Sequence, residues 1–83
     1  QRVAALAAER AASRPLGTAG VKQLQRNLAV LGYRVGVADG KAGAKTRAAI
    51  MAEERKLGLR ATGEANNFIL AQTRRRVADQ RGG

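Results

Sequence analysis

Residues 21–34 read VKQLQRNLAVLGYR. Val21, Leu24, Leu28 and Leu31 recur at intervals of three, four and three residues, which places them on one stripe of an α-helix. Thr18 stands just ahead of this stripe with a side chain suited to capping the first turn. Gly32 follows it, and a residue free to adopt positive φ fits the position just past a helix end, with Tyr33 folding back toward Leu28 as an apolar latch. The pattern returns 26 residues later, where Leu57-Gly58-Leu59-Arg60 echoes Leu31-Gly32-Tyr33-Arg34. Each tetrad closes a helix and leads into a glycine-bearing loop, so the core reads as two like units of helix and loop.

Working outward, the loop after the first tetrad contains Gly40-Lys41-Ala42-Gly43-Ala44-Lys45-Thr46, which resembles a phosphate cradle at first sight. Such a cradle needs glycine, four residues and then Gly-Lys-Ser/Thr, so that bare backbone amides wrap the phosphates. Here Ala44 precedes Lys45-Thr46 and Asp39 occupies the first glycine's place. The segment before it has helical spacing rather than the strand such a loop should leave. Nucleotide binding is therefore set aside. A second helix is predicted from Ala44 to Leu57, with Ala49, Ile50 and Leu57 inward and Gly58 as its stop. Another is predicted from Asn66 to Val77, with Asn66 as cap, Phe68, Ile69 and Leu70 as apolar bulk, and Arg74-Arg75-Arg76 at the negative end of its dipole.

Ahead of this core, the alanine-rich stretch Arg2 to Ala12 predicts a short helix with Val3, Leu6 and Ala7 on one side, marginal unless it packs on something. Pro15 biases Arg14 out of the helical region, so Ser13 to Gly17 reads as a linker, and Gln80 to Gly83 as a frayed end. The expected fold is all-α, a small three-helix bundle with two similar halves plus a short extra N-terminal helix. Its divisions are an N-terminal helix and linker over 1–15, a domain over 16–77 and a flexible tail over 78–83.

Composition narrows the chemistry. The 83 residues contain no cysteine and no histidine, which removes disulfides, the usual zinc ligands and nucleophile systems built on either residue. Six carboxylates remain as acid-base groups. Against them stand sixteen Lys and Arg, a formal charge of +10 that favours polyanionic partners. With one Tyr, one Phe and no Trp, stacking on single-stranded nucleic acid has little to work with. No apolar run approaches the length that crosses a bilayer. The chain opens at Gln1 rather than methionine, which reads as a piece of a longer or processed protein, so an export signal would lie outside it.

The segments VKQLQRNLAVLGY, ADGKAGAKTRAAI and LGLRATGEAN, in this order, resemble the bacterial peptidoglycan-binding domain of the three-helix kind found beside cell-wall hydrolases. The resemblance runs from about Leu16 to Arg75. It rests on Val21, Leu24-Gln25, Leu28, Leu31-Gly32-Tyr33, Asp39-Gly40, Gly43, Thr46, Ala49-Ile50, Gly58-Leu59 and Gly63. It implies a small helical bundle with two similar halves that holds a parent protein on the cell wall, without catalysis. One departure stands out, because Glu53-Glu54 occupies the place where the family usually carries Phe-Gln. Burying an unpaired carboxylate costs several kcal/mol, so Glu53 is expected to turn outward or find an arginine, and Phe68 to supply the missing ring.

Candidate ligand-binding residues are Tyr33, Arg34, Asp39, Lys41, Lys45 and Arg47, which crowd the central loop and the start of the helix after it. Asp39 also suits a turn-fixing role, and Thr46 a role at the helix start. Gln25 could bond the loop backbone or a ligand. The Tyr33 ring reads as a latch with its hydroxyl in water. Glu53 and Glu54 point about 100° apart on a helix and so do not form the facing pair that hydrolysis needs. The leading expectation is a non-catalytic peptidoglycan-binding module of the bacterial periplasm or cell envelope, needing no cofactor or metal. In it, peptide-stem carboxylates meet the basic loop and the stem's apolar parts rest on Tyr33. The other partner readings are a scaffold in which the N-terminal helix packs on a partner protein or a parent catalytic domain, and a basic nucleic-acid binder without sequence specificity.

Overall fold

The computed structural model describes residues 2–82, leaving Gln1 of the N-terminal segment and Gly83 of the expected frayed end outside. Four helices follow one another: α1 Arg2–Ala11, α2 Thr18–Val30, α3 Ala44–Lys56 and α4 Asn67–Gly82, with no strand among the described residues. The repeated tetrads are repeated helix stops. After α2 the Tyr33 N–H reaches the Leu28 carbonyl and the Gly32 N–H that of Ala29, each at 3.0 Å. After α3 the Leu59 N–H bonds Glu54 at 2.9 Å and the Gly58 N–H bonds Arg55 at 3.0 Å. This paired closure requires a left-handed residue, and Gly32 and Gly58 supply it with φ of 100° and 81°. The 26-residue echo in sequence is thus one backbone device used twice.

The core collects Leu24 and Leu28 of α2, Ala49 and Ile50 of α3, and Phe68, Ile69 and Leu70 of α4, with Val35 and Leu59 from the loops. Phe68 lies inside, as expected. Helix α2 packs chiefly on α4, and a buried hydrogen bond from Asn27 Nδ2 to Thr73 Oγ1, 3.1 Å, joins them within the apolar contact.

Four expectations are corrected. Thr18 does not cap α2, because the helix begins one residue earlier in effect: Gly17 is the cap, with its carbonyl accepting the Val21 N–H at 2.9 Å and no side-chain bond. Asn66, by contrast, caps α4 through Oδ1, which accepts the Ile69 N–H at 2.9 Å. Helix α4 does not end near Val77 but continues to Gly82, since Ala78, Asp79, Gln80 and Arg81 contain no breaker. The segment between α1 and α2 is no loose linker. It lies antiparallel to Asn66, with Leu16 N–H on Ala65 O and Asn67 N–H on Arg14 O, both 3.0 Å. Finally, α1 is not a mere addition to the core, because Leu6 is buried within it.

Candidate functional site

The loop between α2 and α3 is built around one side chain. Gln25, on the buried face of α2, is 1% exposed. Its Oε1 accepts the Gly40 N–H at 2.9 Å. Its Nε2 faces the Lys41 carbonyl and Thr46 Oγ1, both at 3.0 Å, and Asp39 Oδ1 at 3.2 Å. Gln25 therefore fastens both the loop and the first turn of α3, and Thr46 is buried in doing so. Asp39 closes the turn by accepting the Lys41 N–H at 2.9 Å. That amide, followed by the Gln25 side chain, holds the Asp39 carboxyl below its ordinary pKa.

Beside this clamp lies a cleft of about 400 Å³ edged by Val35, Val37, Asp39, Lys41 and Lys45. Val37 is 82% exposed at its rim. Lys41 and Lys45 project into solvent without an ion-pair partner among the described residues. Helix α3 starts at this cleft with no acidic residue in its first turn, so the positive end of its dipole adds to the two ammonium groups.

The structure brings Asp39, Lys41 and Lys45 together and places the other sequence-chosen residues elsewhere. Arg34 is exposed and edges neither this cleft nor the groove described below. Tyr33, whose hydroxyl was expected in water, instead donates to Glu53 Oε1 at 2.7 Å, with Lys56 Nζ 5.3 Å above its ring. Burial and then this bond to Glu53 raise the phenol's pKa. Glu53 is wholly buried and has found its arginine: Arg76 Nη1 lies 2.8 and 2.9 Å from its two oxygens.

Arg47, in the first turn of α3, lines a different groove of about 640 Å³. One wall is the end of α1 with Ser13, Arg14 and Pro15; the other is Ala42, Arg47 and the chain from Arg60 to Asn66. Glu54 fixes that second wall as Gln25 fixes the central loop. Its carboxylate accepts the Thr62 and Gly63 N–H groups at 2.8 Å each, the Thr62 hydroxyl at 2.7 Å and Arg10 Nη1 at 3.0 Å. In each half a buried polar side chain of the preceding helix thus holds a loop glycine N–H. Sequence reasoning missed Arg10, Arg14 and Arg60. Only Arg60 left a signal, as the counterpart of Arg34 in the repeated tetrad.

Residues 17–72 match the family whose description reads "Putative peptidoglycan binding domain". The chain belongs to this family. A comparison with curated proteins finds no match. The peptidoglycan-binding match spans α2, α3 and the beginning of α4, and so includes all six sequence-chosen residues together with the Gln25 and Glu54 clamps. Helix α1 lies outside it, and with α1 lie Arg10 and Arg14. Among the described residues no cluster of metal-ligating side chains occurs, and no helix is long and apolar enough to cross a membrane.

Proposed function

We propose that this domain is a non-catalytic module that holds a parent protein, a hydrolase domain for example, on peptidoglycan in the bacterial periplasm or cell envelope. The observation that carries the reading is the α2–α3 loop: its backbone is fastened by Gln25 before any ligand arrives, while Lys41 and Lys45 remain unengaged over a cleft with an apolar rim. Preorganised cations bind carboxylates without the entropy cost of ordering a loop, and stem peptides of peptidoglycan carry carboxylates. Val37, at the cleft, takes the apolar contact that Tyr33 was expected to make. The absence of catalysis is supported by the use made of the carboxylates. Glu53 and Glu54 are consumed in ion pairs, and each cleft has a single further carboxylate at its edge, Asp39, which is fixed in its turn by Lys41 N–H and Gln25, or Glu64, where glycoside hydrolysis needs two. Leu6 and Arg10 of α1 are engaged within this chain.

Co-sedimentation with purified sacculi tests the proposal. The double substitution Lys41→Ala and Lys45→Ala should weaken binding about tenfold, the loss of two charge-assisted contacts in a solvated site. Arg34→Ala should change it little. Equal binding by all three proteins would remove the loop from the interface.

A further inference from the structure

The groove between α1 and the Arg60–Asn66 segment belongs to no part of the reading above. From its lining we infer that it is a second anion-binding subsite, which takes a short peptide bearing free carboxylates. Resting on the proposed function, we assign that peptide to the stem arm of peptidoglycan rather than to its glycan strand.

Four arginines edge the groove, and their states differ. Arg10 is already used: it pairs with Glu54 and donates to the Arg60 carbonyl. Arg14, Arg47 and Arg60 are exposed, and their guanidinium groups have no hydrogen bond or ion pair among the described residues. Against these three cations the groove holds one free carboxylate, Glu64. Planar guanidinium forks match carboxylates in a bidentate manner, which selects this anion geometry over a diffuse negative surface.

The rest of the lining says what lies between the carboxylates. Ala7, Ala11, Pro15, Ala42 and Ala65 supply small apolar contacts, and no aromatic residue is present. Sugars and nucleobases are commonly held by stacking on rings, so a glycan or nucleic acid finds no platform here. Small side chains such as methyl groups do find contact. The volume lies within the range of about 300 to 1,000 Å³ typical of clefts for small ligands.

The two walls are also fixed in place. The Arg10–Glu54 pair holds α1 to the loop, and the backbone pairing of Arg14 and Leu16 with Ala65 and Asn67 closes the groove's end. This subsite therefore exists only because α1 is docked on the family's core. Ala42 and Arg47 line this groove while Lys41 and Lys45 line the other cleft, so the segment 41–47 contributes to both.

The test is a titration of the full chain with a soluble disaccharide-tetrapeptide, followed by backbone amide shifts in NMR. A second titration uses the same compound with its carboxylates amidated. Binding should shift amides in 7–14 and 60–66. Amidation should weaken it about tenfold or more, and so should the pair Arg14→Ala and Arg60→Ala, whose guanidinium groups make no hydrogen bond or ion pair among the described residues. Shifts confined to 35–46, with the arginine variant unaffected, would overturn the subsite while leaving wall binding by the loop intact. Equal binding of a plain acidic hexapeptide would overturn it too, by showing a charge patch open to acidic protein segments. Failure of the wild-type chain to bind either the compound or whole sacculi would instead bring down the functional reading on which the subsite rests.

Discussion

At the scale of single residues, the departure that stood out in the sequence explains itself in the fold. Glu53 takes a wholly buried position, and burial of a carboxylate is tolerable only when its lone pairs are met. Arg76 from α4 and the Tyr33 hydroxyl meet them. Tyr33 then reports on this triad, and being the chain's single tyrosine it can be titrated by ultraviolet absorbance without interference. Its midpoint should lie above the ordinary 10.0, from burial first and the bond to Glu53 second. Because the folded value is raised, Tyr33's contribution to stability is complete below the unfolded pKa and is lost as pH rises through the folded one. Glu53→Gln should lower the midpoint without bringing it fully to the ordinary value, since burial is the larger cause. An ordinary midpoint in the wild-type chain would contradict the triad. Little of this was legible beforehand: the need for an arginine was, from the cost of a buried charge, but Arg76 stands 23 residues away and was one of three consecutive arginines.

At the scale of elements, the two core helices with glycine stops were legible because their signals are local. Leucine spacing, a following glycine and an apolar latch all fall within a few residues, and the same holds for Asn66 at the start of α4. Helix α1 was legible as a helix and not as a neighbour, since its partners lie about fifty residues on and no periodicity encodes them. Its docking makes a prediction. Leu6→Ala removes a buried side chain and should cost about 2 to 5 kcal/mol in urea unfolding, the usual range for emptying a leucine site. Deleting residues 1–13 should cost at least as much, because Glu54 loses Arg10 as well. The shortened chain should still unfold cooperatively, because Glu54 keeps three donors from Thr62 and Gly63 and the family's span begins at residue 17. Loss of only about 0.5 kcal/mol for Leu6→Ala, the level of surface substitutions, would place α1 outside the core after all.

At the scale of the whole molecule, the candidate site was half legible. Asp39, Lys41 and Lys45 are close in sequence and edge one cleft, whereas Tyr33 bonds Glu53, Arg34 edges neither cleft and Arg47, in α3, lines the other groove. Charge alone cannot decide what the molecule binds, because a +10 chain attracts any polyanion at low salt. Salt separates the cases, since contacts that only neutralise charge weaken steeply as ions are added, while a cleft that also covers apolar surface keeps part of its affinity. The most direct measurement follows binding of the full chain to sacculi and to duplex DNA from about 50 to 300 mM salt, a range over which several phosphate contacts lose orders of magnitude. Sacculus binding should outlast DNA binding, and Val37→Ser should weaken the first more than the second. Curves that collapse together, with the substitution affecting neither, would contradict the claim that this domain recognises peptidoglycan.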